Sequence, residues 1–171
     1  LAAVADIARD AGMAAADPVV VEQWMERRNH VSTWTELLDM GVVVDTIEIS
    51  APWSRIDAVY EAAITSLREV PGIVTASAHS SHAYRSGINL YFSFAVRCDA
   101  SEMEARYFEC WRRVMEATSA HGGGIAHHHG IGRLRKDFLH LDLGSSGVDL
   151  LRTLKHAVDP HGIMNPGNLI P

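Results

Sequence analysis

Between His121 and Lys136 the chain reads HGGGIAHHHGIGRLRK, and its chemistry is concentrated there. Three glycines, three consecutive histidines, two further glycines and three cations fall within sixteen residues. A packed core has no use for that mixture. Glycine at this density marks backbone that approaches a ligand or turns through positive φ. Histidines supply groups that gain or lose a proton near neutral pH. Arg133, Arg135 and Lys136 supply positive charge, which suits phosphate when glycine-flanked N–H groups stand beside it. A short cationic run is also commonly a solvated helix face. The segment reads as a site for an anionic substrate or cofactor.

Two familiar alternatives fit poorly. Neighbouring residues on a strand or helix do not point at one ion, and no cysteine pair assists His127, His128 and His129, so the spacing gives no zinc site and no metal is expected. GGG and GIG lack the preceding strand and full spacing of a dinucleotide-binding loop. Away from this segment, His79, Ser81, His82 and Tyr84 end a strand pattern and lie near Tyr91 through a hairpin. By pattern alone Tyr91 is an amphipathic tyrosine on a solvated sheet face.

The elements that must position these groups follow from periodicity. Leu1–Met13 has a short helical pattern, and Asp17-Pro18 opens a helix through Arg28 with an N-cap and a proline in the first turn. Thr33 and Glu36 have the spacing of a capping box for a short helix ending at Gly41. Val42–Ile49 is β-branched and reads as a strand. Pro52 then opens a helix marked by Trp53, Ile56, Tyr60, Ile64 and Leu67 and stopped by Pro71-Gly72. Ile73–Ser81 is a second strand. In the third, Ile88, Leu90, Phe92, Phe94 and Val96 alternate with Asn89, Tyr91, Ser93, Ala95 and Arg97, which sends the two sets to opposite faces. Ser101 and Glu104 cap a helix with Tyr107, Phe108, Trp111, Val114 and Met115 on its apolar stripe. A last helix carries Leu150, Leu151, Leu154 and Val158 inward, and the tail from Pro160 folds back. The order β-α-β-β-α predicts an α+β fold, an antiparallel sheet with helices packed on one face.

Composition narrows the class. The chain has 171 residues, 47% of them apolar, with a net charge of −6. That length suits one well-buried domain, and the acidic balance without a basic stripe argues against nucleic acid as partner. Cys98 and Cys110 read as reduced thiols in an intracellular protein, with one disulfide between them left open. No apolar run is long enough for a membrane span. The start at Leu1, mid-helix, suggests a piece of a longer protein.

Several separate motifs, in order, resemble the alkyldihydroxyacetonephosphate synthase family of the vanillyl-alcohol oxidase superfamily: ISAPWSRI, GINLYFSF, HHHGIGRLRK and VDPHGIMNPGNL. The resemblance covers Val43 to the end. It implies a flavoenzyme whose N-terminal FAD-binding domain lies outside this chain. On that reading, residues 1–42 are a helical lead-in, 43–159 the cap domain, and 160–171 a tail returning to the flavin. The implied reaction exchanges the acyl group of acyl-dihydroxyacetone phosphate for a fatty alcohol, with the flavin acting without net oxidation. Carried over by motif, Tyr91 is the proton donor or acceptor, and His127, His128 and His129 are the essential triple histidine near the flavin. Arg133, in the place of a usual lysine, would help hold phosphate, with His79, His82 and Tyr84 also on the substrate side. Asn165 and Asn168 would meet the cofactor, although NPGNL departs from the asparagine-arginine-asparagine pattern usual there.

The thiol reading goes with an expected cytoplasmic location. The long apolar substrate that the resemblance implies would bring transient contact with a membrane surface, and a homodimer is left open. This chain by itself is expected to be inactive. The rival within the superfamily is FAD-dependent oxidation of a D-2-hydroxyacid such as D-lactate or glycolate. Those enzymes carry metal-binding histidines where Tyr84 and Tyr91 stand here, and an acidic residue in place of His128. A rival of another class is a non-catalytic binding module that reuses the cap fold.

Overall fold

The computed structural model describes residues 2–30 and 32–171. Chain contacts divide it into two units, Leu1–Glu36 and Leu37–Pro171.

In the first unit, α1 (Ala2–Asp10) and α2 (Val19–Arg27) bury no residue. Of the helix expected over Leu1–Met13, Leu1 lies outside the described residues. The Asp17 carboxylate accepts from Val19 N at 2.9 Å, which is the expected cap at the start of α2. The capping box is closed as well: Thr33 N donates to Glu36 Oε2 at 2.7 Å and Glu36 N to Thr33 Oγ1 at 3.3 Å. It opens α3 (Trp34–Asp39).

The second unit holds the sheet. β1 (Val42–Pro52), β2 (Ile73–His79) and β3 (Gly87–Arg97) form an antiparallel sheet in the order β1-β3-β2. The crossover from β1 to β2 is α4 (Ile56–Arg68), and α5 (Met103–Ala120) follows β3. Strict alternation on β3 puts Phe92, Phe94 and Val96 into the core beside Val43, Ile47 and Ile49 of β1. There they meet Val59, Ile64 and Leu67 of α4 and Trp111, Val114 and Met115 of α5. Helices thus pack on one face, as expected. Asp45 enters that face and is satisfied by Tyr107 Oη at 2.7 Å and Trp111 Nε1 at 3.2 Å. Burial and the Asp45 charge push the Tyr107 phenol up to about 12.

Some boundaries differ from the sequence reading, each for a local reason. Pro52 ends β1 instead of opening a helix, because the ladder continues to the Pro52–Gly87 pair. Trp53 is consequently exposed, its Nε1 donating to Tyr84 O at 2.8 Å. β2 stops at His79, because Asn89 Oδ1 draws Ser81 N and His82 N out of the ladder at 3.3 and 3.0 Å. Ser101 does not cap α5, which begins after Glu102, and Phe108 lies outside its buried stripe. A 3₁₀ turn (Lys136–Phe138) leads into α6 (Leu139–Val158), which bends at Gly144, where φ is 67°. Of α6, Leu139 and Val148 are buried, whereas Leu150, Leu154 and Val158, expected inward, are exposed. The tail does fold back: Leu169 N donates to Gly132 O at 3.1 Å. Among the described residues, no helix is long and apolar enough to cross a membrane.

Candidate active site

The sheet face away from α4 and α5 is polar, and the His121–Lys136 segment lies across it. Its glycines explain how. Ser50 and Gly124 exchange both backbone hydrogen bonds, Ser50 N to Gly124 O at 3.0 Å and Gly124 N to Ser50 O at 2.8 Å. A Cβ on Gly123 would stand 2.7 Å from Thr118 Cγ2 and 3.0 Å from Ser50 O, so the segment reaches β1 only because it lacks one there. Asp142 of α6 accepts from Ile125 N, and burial, only partly offset by that bond, raises its pKa.

From there the chain wraps a carboxylate that sequence pattern did not single out. Glu48 of β1 has no exposed surface. It accepts from the backbone N–H of His127, His128 and His129 at 3.1–3.3 Å. The Nδ1 atoms of His128 and His127 stand 2.5 and 3.3 Å from its Oε1. Burial pushes the Glu48 carboxyl up, but the three N–H donors and the His129 ring outweigh it and hold the group below its ordinary 4.5.

Arg135 closes the wrap from beneath. It donates to Ile125 O at 3.0 Å, Gly130 O at 3.1 Å and Glu48 O at 3.0 Å, and lies 5.0 Å over the Trp111 ring. Desolvation lowers its pKa. Its fork thus serves backbone carbonyls. This cation of the run is the fastener of the segment.

The expected site residues divide into three places. Tyr91 pairs with Glu48 across the β1–β3 ladder and with His79 across β2–β3. Its ring stacks on His79 at 5.0 Å, and its Oη stands 3.3 Å from His128 Nε2. His129 lies 5.6 Å from Tyr91, His82 5.0 Å from His128, and Tyr84 5.3 Å from His127, all between ring centroids. Tyr91, His127, His128, His129, His79, His82 and Tyr84 therefore form one cluster. Arg133 lies elsewhere, in a groove of about 350 Å³ with Phe108, Arg112, Leu134 and Phe138. Asn165 and Asn168 bond to each other at 2.6 Å and line a third cavity with Arg152 and Lys155.

Consecutive histidines do converge here, contrary to the simple spacing argument, because they sit on a turn around one carboxylate. Ligand atoms of His82, His127 and His128, and of Glu48, His128 and His129, lie within 4.8 Å of one another, close enough to gather a cation or to share protons. Asn89 is a further residue that pattern reading passed over. It is buried, its Oδ1 fixes the loop carrying His82, and its Nδ2 has no hydrogen-bond partner among the described residues. A lone Asn on the polar face of a strand was the only available signal.

Two outcomes follow. Arg135→Met strips a donor from three carbonyls; it should cost about 3 kcal/mol in urea unfolding, and Arg135→Lys should restore only part of that. Glu48 binds fewer protons folded than unfolded between its lowered pKa and 4.5, so its contribution is complete above 4.5 and is lost as pH falls through the folded value. Urea midpoints measured from pH 7 down to pH 3 should fall below about 4.5, and Glu48→Gln should flatten that limb.

Comparison with known proteins gives these residues a context. Residues 1–169 match the family described as FAD linked oxidases, C-terminal domain. An uncharacterized FAD-linked oxidoreductase, YgcU of Escherichia coli strain K12, is 34% identical over 168 residues, covering 91% of this chain and 34% of that protein. Alkyldihydroxyacetonephosphate synthase of Dictyostelium discoideum is 28% identical over 155 residues, 86% of this chain and 25% of that protein. A solved structure of alkyldihydroxyacetonephosphate synthase superposes with a TM-score of 0.51 at 25% identity, over 77% of this chain and 22% of that one. The chain thus spans about a third or less of the length of these relatives. It belongs to the FAD-linked oxidase C-terminal domain family.

Proposed function

We propose that this chain is the substrate-side part of a flavoenzyme that exchanges the acyl group of an acyl-dihydroxyacetone phosphate for a fatty alcohol. The observation that carries the reading is the contact between Tyr91 Oη and His128 Nε2 at 3.3 Å, inside a shelf of imidazoles and phenols over a buried carboxylate. Such a group can take a proton from a substrate and return it. Relatives named as the synthase cover most of the chain, which supports the choice of reaction.

FAD fits this arrangement as a cofactor shared with other parts of a longer protein. The shelf is open, with His128 and His129 each 44% exposed, and the unpartnered Asn89 Nδ2 leaves a donor for a polar heteroaromatic edge. Nothing in this chain resembles a pyrophosphate loop, so Tyr91, His128 and His129 would face the ring system and hold little else of FAD. A bound flavin supplies the electrophilic and redox-active ring. Exposed Leu150, Leu154, Val158, Ile163 and Met164 suit a surface that the remainder of the protein covers. Arg133 stands apart from the Tyr91 cluster, in a groove that it shares with Arg112, Glu116 and Asp137. A lipid substrate also implies transient contact with a membrane surface.

Oxidation of a D-2-hydroxyacid is the competing reading. Phenols stand at Tyr84 and Tyr91 where that chemistry would want imidazole ligands for a metal, and this favours the exchange reaction. The intact flavoprotein should convert palmitoyl-dihydroxyacetone phosphate and hexadecanol to the ether with release of palmitate. Tyr91→Phe should lower turnover about 10²–10⁴-fold with the fold unchanged by circular dichroism. Dye reduction by D-lactate without exchange would overturn the proposal, as would full exchange activity in Tyr91→Phe.

A further inference from the structure

Asn89 stands on the polar face of β3, paired with Ser50 of β1, and has no exposed surface. Its Oδ1 accepts from His82 N at 3.0 Å, Ser81 N at 3.3 Å and Ser80 Oγ at 3.2 Å. Its own backbone N donates to His82 O at 3.2 Å. Two backbone N–H groups on one oxygen settle which way the amide is turned. Nδ2 is the donor left over, buried and without a hydrogen-bond partner among the described residues. A buried amide satisfied on one side only is costly, so filling space does not account for it.

The loop gripped by this oxygen carries one wall of the histidine cluster. Ser81 Oγ stands 2.8 Å from His82 Nδ1, so holding Ser81 also holds the His82 ring. That ring lies 5.0 Å from His128 and 5.6 Å from His127 between centroids. Tyr84 follows, 5.3 Å from His127 and 6.5 Å from His82. Its end of the loop is pinned by Tyr84 N on Gly87 O and by Trp53 Nε1 on Tyr84 O, each at 2.8 Å. Residues 80–86 are all exposed and none belongs to the hydrophobic core. The loop therefore keeps its place through a few polar bonds, and Asn89 makes four of them.

We infer that Asn89 is a positioning residue: its carboxamide oxygen clamps the loop 80–84 so that His82 and Tyr84 form a fixed wall over the turn of three histidines. This rests on the reading of that cluster as the place where substrate is held. The residue type follows from the neighbourhood. Glu48 pairs with Tyr91 and Ser50 with Asn89, so Glu48 and Asn89 are diagonal neighbours on one face. A carboxylate at position 89 would accept the same bonds but set a second buried negative charge beside Glu48. Leucine would fill the volume and leave Ser81 N and His82 N without an acceptor. Asparagine supplies the acceptor without the charge.

Two measurements on the intact flavoprotein test the clamp, and the first needs no turnover. By hydrogen exchange, the Ser81 and His82 amides of the wild type should be protected. Asn89→Leu should speed their exchange about tenfold while the amides of β1 keep their rates. In steady-state kinetics with palmitoyl-dihydroxyacetone phosphate, Asn89→Leu should raise KM about tenfold with kcat within about threefold of wild type. Tyr91 and His128 keep their places while the wall loosens. A part in folding alone would instead lower the active fraction, and with it kcat, at unchanged KM. Asn89→Ser, which keeps a neutral acceptor, should recover part of both effects. Unprotected Ser81 and His82 amides in the wild type would overturn the inference, even if Asn89→Leu fails to fold. So would unchanged exchange in a folded Asn89→Leu protein, or a fall in kcat with KM unaltered. If the wild type exchanges no acyl group for the alcohol, the reading of function fails, and the amide rates alone decide whether Asn89 holds the loop.

Discussion

One buried carboxylate organises the functional face of this domain. Glu48 has no exposed surface, and an ion so placed costs far more than an unpaired amide unless donors surround it. The protein supplies them by bending His127–His129 until three successive backbone N–H groups point at one side chain. The imidazoles then have to project from the same short turn, over the same strand. The convergence of histidines is thus a consequence of satisfying Glu48. That also explains why residues adjacent in sequence share one small volume.

Such a turn needs anchoring at both ends. At its start, Gly123 and Gly124 pack on β1 at Ser50, and Asp142 receives Ile125 N. Arg135 binds carbonyls before, after and beneath the turn. β1 is consequently polar on both faces. Asp45 ties α5 to the sheet through Tyr107 and Trp111, and Glu48, three residues later on the opposite face, gathers the site. Trp111 also carries Arg135 on its ring, so one aromatic residue couples the helical layer to the fastener of the active face.

Periodicity was a good guide wherever local pattern and burial agree. The alternation around Tyr91, the capping box at Thr33 and Glu36, and the glycine stop before the histidines all appear as read. Long-range pairing was invisible to it. Pro52 looks like a helix opener until Gly87 is known to lie opposite, and Leu150, Leu154 and Val158 form an apolar stripe that is left exposed. In the site, His79, His82, Tyr84, Tyr91 and the three histidines come together as their hairpin and turn suggested. Arg135 and Glu48 were misjudged or passed over because their roles depend on partners many residues away. A lone acid between Ile47 and Ile49 looks like any solvent-face residue until its rung partner proves to be Tyr91.

A crystal structure of the intact flavoprotein with FAD and a non-reactive phosphate analogue of the substrate tests the central claim most directly. The Tyr91 hydroxyl and the His128 ring should line the reacting edge of the flavin, with Tyr91 Oη about 3–3.5 Å from the substrate atom that loses its proton. A flavin bounded by some other surface of this domain, with Tyr91 and the triple histidine turned toward solvent, would contradict it.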